Sequence, residues 1–311
     1  MSERAILFAL VGATATGKTE VGERIADALG AEIVCADSRQ VFADLDLGTG
    51  KPSPDERAAR PHHLFEALSL DERPSAGWYA RAAARAIEEI RSRGRRPLLV
   101  GGAGLYLRAL REGLAPEPAL DPDLRTRLRE SHRDAPLAEL RARLERLDPE
   151  SAARIRPADR QRTSRALEVV EGSGHPLGWW QRQPGETPVA GEWRVVELRA
   201  EPAALDRRIA ERTAWMFANG LLEETRGLIE RGLDTALRRL RAVGYDEALD
   251  LLEDRLSRAD AEARTRLRTR QLAKRQRTWF RHQIEARVLE MDGAIGDLAA
   301  RVRRELEAGG G

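Results

Sequence analysis

The chain has 311 residues, of which 33% are charged and 41% are hydrophobic, and its formal net charge is +2. This composition excludes a disordered protein and favours one large core, or one core with a smaller attached unit. The single cysteine excludes an intramolecular disulfide and a multi-cysteine zinc site. No apolar run has the length of a membrane-spanning helix, so we expect a cytoplasmic protein without membrane attachment.

The strongest local motif lies near the amino terminus. Residues 12–19 read Gly-Ala-Thr-Ala-Thr-Gly-Lys-Thr and match the phosphate-binding pattern G-x-x-x-x-G-K-S/T. An apolar run of strand length, 5–11, precedes the motif, and helical spacing of apolar residues follows it over 18–29. In this context, loop N–H groups and the helix N-terminus bind a polyphosphate, Lys18 adds a point charge and the Thr19 hydroxyl can hold Mg²⁺.

Lysine is scarce in this chain. Of 53 basic residues only Lys18, Lys51 and Lys274 are lysine, and the others are arginine. Because a guanidinium is planar and larger than an ammonium, we predict that these positions need a compact charge.

Strand-like and helix-like segments alternate over the first hundred residues. Apolar strands are predicted over 5–11, 31–36 and 98–100, and a helix begins after the N-cap Ser75 and ends at Gly94. This order predicts an α/β fold of the phosphate-loop type. Such a fold has a parallel sheet wrapped by helices and binds ligands at the carboxyl ends of the strands.

The composition changes after a Pro-rich stretch that ends at residue 118. The segment 119–191 is rich in arginine and mostly helical, and its first helix begins with Asp121 as N-cap before Pro122. We therefore expect a catalytic α/β domain formed by 1–118 and 192–311, and a helical insertion domain between them.

The C-terminal part begins with a strand and continues as helices. Residues 193–199 alternate in polarity, which predicts a strand that rejoins the sheet, and beyond Pro202 the pattern is helical to about Arg287. From Arg264 to Arg281 there are eight basic residues and no acidic one. Such a run is usually a solvated helix face, and beside an RNA site it would contact phosphates.

A second chemical motif follows the predicted strand 31–36. There Asp37 begins the tetrapeptide Asp-Ser-Arg-Gln. A carboxylate at the carboxyl end of a strand, in the sheet that carries the phosphate loop, faces the ligand crevice. Two interpretations stay open. Asp37 has a structural role, as a helix N-cap or an indirect ligand of Mg²⁺, or it is a general base beside the bound phosphates.

Several further motifs resemble the tRNA dimethylallyltransferases, and they occur in one order between residues 8 and 281. They are Gln40 to Phe42, Asp46 to Pro52, Pro61 to Leu64, Leu99 to Tyr106, Asp159 to Arg162 with Arg165 to Glu168, Val243 to Tyr245, and Thr269 to Gln276 with Thr278-Trp279. The resemblance implies transfer of the dimethylallyl group of dimethylallyl diphosphate to N6 of the adenosine beside the anticodon of tRNA. The products are N6-isopentenyladenosine and diphosphate, and Mg²⁺ is the implied cofactor.

The resemblance also implies roles for individual residues. Asp37 removes the proton from N6. The diphosphate is bound by Gly12, Ala13, Thr14, Ala15, Thr16, Gly17, Lys18, Thr19 and Arg212, with Thr19 on Mg²⁺. The anticodon loop of the tRNA is contacted by Asp37, Ser38, Arg39, Gln40, Ala103, Arg125, Gln161, Arg162, Thr163, Ser164, Arg165, Arg241, Ala242, Val243, Gly244, Tyr245, Asp246, Lys274 and Arg275.

Two positions depart from the family pattern. Ala103 stands where the motif Gly-Gly-Thr-x-Leu-Tyr of the family supplies a threonine hydroxyl. Asp246 stands where relatives often have a basic residue. If the hydroxyl positions the amine or the diphosphate, water or another group must replace it here, and the rate is then expected to be lower.

Three alternatives stay open from the residues alone. A P-loop kinase would use the same loop for ATP, and an adenine-nucleotide isopentenyltransferase would use the same donor site. The long basic C-terminal helices count against the second alternative, since a free nucleotide does not need them. A third is a non-catalytic RNA-binding NTPase switch. In the leading interpretation we expect the protein to act as a monomer.

Overall fold

The computed structural model describes residues 6–185 and 189–308. These residues form two compact units: the first combines the chain up to Glu112 with the chain from residue 189, and the second begins at Gly113. Ala5 of the predicted first strand, 186–188 of the predicted insertion and the last three residues lie outside the described part.

One sheet of six parallel strands forms the centre of the first unit in the described chain. The strands are β1 (Ile6–Gly12), β2 (Ala31–Cys35), β3 (His62–His63), β4 (Arg96–Gly101), β5 (Glu192–Arg199) and β6 (Arg287–Glu290). Their order across the sheet is β3-β2-β4-β1-β5-β6. The α/β class with a parallel sheet is therefore confirmed, and β1 lies between β4 and β5, which places the phosphate loop at the middle of the carboxyl edge.

One set of helices surrounds this sheet, and a separate set forms the second unit. The helices before the second unit are α1 (Lys18–Leu29), α2 (Pro54–Ala59), α3 (Ala76–Ser92) and α4 (Gly104–Glu112). Those of the second unit are α5 (Pro122–Asp134), α6 (Leu137–Leu147), α7 (Pro149–Arg154), α8 (Arg160–Ser173) and α9 (Leu177–Gln181). Those that follow it are α10 (Pro202–Ala218), α11 (Leu221–Glu230), α12 (Asp234–Leu240), α13 (Tyr245–Leu252), α14 (Arg258–Gln283) and α15 (Ile295–Ala308). Among the described helices, none is both long and apolar enough to cross a membrane.

The apolar run of β1 is explained by burial on both faces of the sheet. Leu7 and Val11 pack into the core on the side of α3 and α4, whereas Phe8 and Leu10 pack on the side of α1 and α15. A strand in a parallel sheet that is covered on both faces needs apolar residues at every position, so alternation is absent. The second unit has a smaller core of its own, in which Leu144 and Leu167 are fully buried.

Local capping signals set several boundaries as predicted. The Ser75 side chain accepts a hydrogen bond from Trp78 N (3.0 Å), and the Asp121 side chain accepts one from Leu124 N (2.9 Å). The expected continuation of helix to about Arg287 is wrong, because α14 ends at Gln283 and β6 then pairs with β5 at the edge of the sheet. The strand β6 has four residues, which is too short for its own periodicity to distinguish it.

Lys51 lies in the loop after β2, and its environment explains why this position is lysine. Its side chain is fully buried. The ammonium donates to Phe42 O (2.8 Å) and Ala43 O (3.3 Å), and it forms ion pairs with Asp46 Oδ1 (2.8 Å) and Glu66 Oε1 (3.5 Å). A compact ammonium satisfies several oxygens that converge on one point, whereas a planar guanidinium needs more room.

We therefore predict that Lys51→Arg lowers the free energy of unfolding by about 1–3 kcal/mol, the usual effect of overpacking a buried site. Chemical denaturation monitored by circular dichroism measures this change. Lys274 is exposed and has no carboxylate within 4 Å among the described residues, so the structure gives no support to the prediction of a compact charge at this position. Lys274→Arg is therefore the matched control. Equal stability of the two variants would contradict the prediction.

Candidate functional site

Two adjoining cavities lie at the carboxyl edge of the sheet, where β1, β2 and β4 end. The first has a volume of about 200 Å³ and the second of about 470 Å³. Both lie within the first unit and share as lining residues Thr14, Asp37, Thr49, Arg212 and Gln276. The cavities therefore meet at Asp37.

The phosphate loop forms the floor of the first cavity. Gly12 has a φ of +150°, and a Cβ there would lie 2.4 Å from Leu198 O, so only glycine allows this approach of β5. Gly17 has a φ of +71° and leads into α1. The Thr16 hydroxyl donates to Ala13 O (2.8 Å), which closes the loop on itself. Thr14, Ala15, Lys18 and Thr19 line the cavity as predicted for an anion site.

Lys18 carries the first positive charge of this cavity. Its Nζ donates to Ala13 O (2.5 Å). Burial lowers the pKa of Lys18 to about 8; the negative charge of Asp37 opposes this effect and the positive charge of Arg212 adds to it. An anionic ligand would favour the charged form of Lys18.

The arginines of α10 add two further charges. The structure brings Arg212 into both cavities, and in the described chain it has no carboxylate within 4 Å. Burial lowers its pKa, while the negative charge of Asp37 opposes that shift. Gly50 makes room for this side chain, because a Cβ on Gly50 would lie 2.7 Å from Arg212 Nη2. Arg208 lies one turn earlier on α10, lines the first cavity and donates from Nε to Ala15 O (2.9 Å).

Sequence reasoning missed Arg208, although a spacing of four residues from Arg212 was available as a signal. Residues i and i+4 share a face of a helix, so a functional Arg212 implied that Arg208 points the same way. Sequence reasoning also missed Gln276 as a site residue. Its side chain reaches the phosphate loop from α14, and only the tertiary structure reveals that contact.

Thr19 is suitably placed for Mg²⁺. Its side chain lines the first cavity with Asp37, and its hydroxyl makes no hydrogen bond to another described residue. No cluster of three His, Cys, Asp or Glu residues in the described chain could hold a metal on its own. Mg²⁺ commonly binds one or two protein oxygens together with substrate phosphates and water, so these residues fit an ion that is held jointly with a diphosphate.

The geometry of Asp37 is compatible with both roles considered from the sequence, a structural cap and a general base. Its Oδ1 accepts hydrogen bonds from Arg39 N (2.8 Å) and Gln40 N (3.4 Å), so the carboxylate caps the turn after β2. No described residue donates to Oδ2. Because the residue lines both cavities, one carboxylate oxygen orients the side chain and the other can accept a proton.

The second cavity collects many of the residues assigned to tRNA. Those that line it are Asp37, Ser38, Arg39, Ala103, Arg241, Ala242, Val243, Tyr245 and Arg275. Arg39 is fixed by a hydrogen bond from Nη2 to Leu240 O (3.1 Å). Ala103 presents a methyl group, and its N–H donates to Ala36 O (2.9 Å). Gln40 lies in the first cavity instead, where its Nε2 donates to Gly50 O (2.9 Å).

Gly244, Asp246 and Lys274 do not line either cavity. Asp246 accepts a hydrogen bond from Arg268 (2.8 Å), and burial raises the pKa of its carboxyl group while Arg268 opposes that shift. Tyr245 is fully buried; its hydroxyl donates to Glu224 (2.5 Å) and accepts from Gly48 N (3.2 Å). Its phenol therefore supports the loop after β2 and offers RNA little surface.

The remaining tRNA assignments fall in the second unit. Gln161 and Arg162 are exposed on the first turn of α8, whereas Thr163 is fully buried and directs its side chain inward. Ser164 is half-buried. Arg125 and Arg165 both form ion pairs with the buried Glu168, at 3.6 Å and 2.7 Å. Direct contact of Thr163 with RNA is not supported by this burial.

The basic run of α14 is less available for RNA than its composition indicates. Arg264 and Arg268 form ion pairs with acidic residues of α13, and Arg270 forms one with Asp206 of α10 (3.2 Å). The basic residues without a carboxylate within 4 Å in the described chain are Arg266, Lys274, Arg275, Arg277 and Arg281. Arg264, Arg268 and Arg270 therefore do not belong to a purely solvated or phosphate-contacting face, because their acidic partners lie on other helices.

Family models and curated relatives match most of this chain. The family model described as IPP transferase matches residues 40–283, and the model described as isopentenyl transferase matches residues 5–66. The tRNA dimethylallyltransferase of Geobacter sulfurreducens is 42% identical over 275 residues, which cover 88% of each chain. That of Halorhodospira halophila is 44% identical over 281 residues, which cover 90% of this chain and 91% of the relative.

Solved structures match most of the chain as well. The tRNA isopentenylpyrophosphate transferase of Bacillus halodurans is 30% identical, with a TM-score of 0.68 and 98% of each chain covered. A eukaryotic dimethylallyltransferase acting on tRNA has a TM-score of 0.77 at 24% identity, with 92% of this chain and 74% of the other covered, and it supports the fold alone. This chain belongs to the tRNA dimethylallyltransferase family.

Proposed function

We propose that the protein transfers the dimethylallyl group of dimethylallyl diphosphate to N6 of the adenosine adjacent to the anticodon in tRNA. The products are N6-isopentenyladenosine and diphosphate. One observation supports the proposal: Asp37 lines both a cavity on the phosphate loop that Lys18, Arg208 and Arg212 make positive and a larger cavity beside it. A diphosphate donor and an amine acceptor can therefore meet at one carboxylate.

The first cavity suits the leaving group. When the allylic C–O bond breaks, its electron pair passes to the diphosphate, and charge builds up on the diphosphate oxygens. Residues of the phosphate loop, Lys18, Arg208 and Arg212 line this cavity, so N–H donors and positive charge are available to stabilise the developing charge. A Mg²⁺ ion held by Thr19 and the diphosphate would neutralise further negative charge on the leaving group.

The second cavity suits the acceptor. The lone pair of adenine N6 is delocalised into the ring, which makes the amine a poor nucleophile. As the new bond forms between N6 and the allylic carbon, the N6 proton passes to Asp37, and this acceptor is expected to contribute about 10²–10⁴-fold in rate. An anticodon-loop base can leave its stack to enter a pocket at modest cost, since the loop is single-stranded.

The relatives support this reaction over the alternatives. The match covers 88% and 91% of the length of two relatives, and both are named tRNA dimethylallyltransferase. This disfavours a kinase, an NTPase switch and an adenine-nucleotide isopentenyltransferase. We propose further that the enzyme acts as a cytoplasmic monomer.

The direct test uses isotope-labelled dimethylallyl diphosphate with an anticodon stem-loop and Mg²⁺, and labelled ATP with the same RNA in parallel. Transfer of the prenyl label to adenosine, identified by mass spectrometry of the digested RNA, supports the proposal. Cleavage of ATP without alkylation of the RNA would overturn it.

Asp37→Asn should lower kcat by about 10²–10⁴-fold, since the carboxamide cannot accept the N6 proton at neutral pH. The asparagine keeps an Oδ1 that accepts from Arg39 N, so the turn and the RNA dissociation constant should be unchanged. Single-turnover kinetics and a filter-binding assay measure the two quantities. Asp71→Asn, on the surface away from both cavities, is the control. A wild-type rate in Asp37→Asn would remove this residue as the base.

Donor affinity should decrease above pH 8. Below the pKa of about 8 in the free enzyme, Lys18 is charged and attracts the diphosphate; above it, binding must first recover the proton. The affinity then falls by about tenfold per pH unit until the pKa of the bound state is reached. The donor itself adds no slope in this range, because its phosphate groups ionise near pH 6.

Calorimetric titration of dimethylallyl diphosphate without RNA, between pH 6.5 and 9.5, measures this dependence. Lys18→Ala should bind more weakly and with a flat profile over the same range, because no side chain at this position then gains a proton on binding. A flat profile in the wild-type protein would show that Lys18 does not bind the diphosphate as an ammonium.

RNA affinity should depend on the unpaired basic residues of α14 and not on the paired ones. Arg275→Ala should make the negative slope of log affinity against log salt concentration shallower by about 1, as expected for one lost phosphate contact. Arg264→Ala removes an ion pair with Asp250 (2.9 Å) and should lower the melting temperature with little effect on the slope. The opposite pattern in salt titrations would contradict this division of the helix.

A further inference from the structure

The side chain of Gln276 connects the donor and acceptor sides of the cleft. Its Oε1 accepts a hydrogen bond from the backbone N–H of Thr14 (2.8 Å), in the phosphate loop. Its Nε2 donates to Gly102 O (3.0 Å), just after β4. The carboxamide therefore joins the loop after β1 to the chain after β4, although it is 262 residues away from Thr14 in sequence.

The surrounding backbone is shaped for this carboxamide. A Cβ on Gly102 would lie 2.4 Å from Gln276 Nε2 and 3.1 Å from Gly12 O. Only glycine at this position lets the amide group lie between the two strand ends. The contact is thus a specific arrangement of three segments and not a chance approach of a flexible surface side chain.

Gln276 stands on the helix that forms one wall of the acceptor cavity. Thr269, Leu272 and Arg275 of α14 line the second cavity, and Gln276 lines both. Arg275 is exposed and has no acidic partner in the described chain, so it is available to RNA phosphates. RNA that immobilises α14 through Arg275 also immobilises the adjacent residue.

We propose that Gln276 is a positioning residue that couples RNA binding on α14 to the geometry of the phosphate loop. The inference rests on the proposed function. The carboxamide occupies the Thr14 N–H and thereby fixes the peptide plane between Ala13 and Thr14, at the start of the loop whose other N–H groups are free to bind the diphosphate. RNA on α14 makes that orientation less mobile, so the loop binds a diphosphate more tightly when RNA is present.

The test measures the affinity for inorganic diphosphate at constant Mg²⁺, with and without an unmodified anticodon stem-loop, by calorimetry. This probe binds the donor cavity but cannot react. In the wild-type protein we expect the stem-loop to tighten diphosphate binding by about 5–150-fold, the usual range for coupled sites. In Gln276→Ala this factor should approach 1 while the affinity for the stem-loop alone is unchanged.

Gln276→Glu provides a second variant of nearly the same size, in case alanine at this position prevents folding. A carboxylate can accept from Thr14 N–H but cannot donate to Gly102 O, so the coupling factor should again approach 1. Its charge should also weaken diphosphate binding in the absence of RNA. Gln283→Ala is the matched control: it is on the same helix, accepts from Arg108 (3.1 Å) and lines neither cavity.

The outcomes separate the two levels of the proposal. A wild-type protein that binds neither diphosphate nor the stem-loop would refute the proposed function itself. A wild-type protein that binds both without coupling, or a Gln276→Ala protein that keeps the wild-type factor, would refute the role of Gln276 alone. Loss of coupling in both Gln276 variants and its retention in Gln283→Ala would establish that role.

Discussion

Two side-chain hydrogen bonds fix the phosphate loop, and the geometry of the cavity above it depends on them. Arg208 on α10 donates to Ala15 O, and Gln276 on α14 accepts from Thr14 N. A phosphate loop must keep its N–H groups convergent before any anion arrives, and backbone groups that are not held in place would turn toward each other or toward water. Here that constraint is met by side chains from the C-terminal half of the chain.

The distribution of charge follows from the same packing. Lys18, Arg208 and Arg212 line the first cavity, and among the described residues Asp37 is the only acidic one that lines it. The excess of positive charge favours a diphosphate over a neutral ligand. The Asp37 carboxylate lies where the larger cavity opens, apart from the solvent-exposed acids of the surface.

Sequence reasoning succeeded where the determinants are local. The strand before the phosphate loop, the helix after it and the N-cap Ser75 are specified by neighbouring residues. It failed for β3 and β6, which are short edge strands stabilised by partners far away in the sequence. The same reason explains the basic run of α14, since its neutralising acids lie on α10 and α13 and no local pattern reveals them. The phosphate-loop motif predicted several residues that line the first cavity, whereas Gln276 reaches this cavity through a contact between distant segments that no motif indicates.

The position of α15 has a consequence for how the protein is made. Leu298 and Val302 of this helix pack with Val21 and Ile25 of α1, directly behind the phosphate loop, and β5 pairs with β1 across a long separation in sequence. Contacts between such distant segments form slowly, because a long loop must close before they are gained. During translation the amino-terminal strands leave the ribosome long before their cover is synthesised. A nascent chain therefore exposes apolar surface for most of its synthesis, and chaperones that shield such surface have a long interval in which to act.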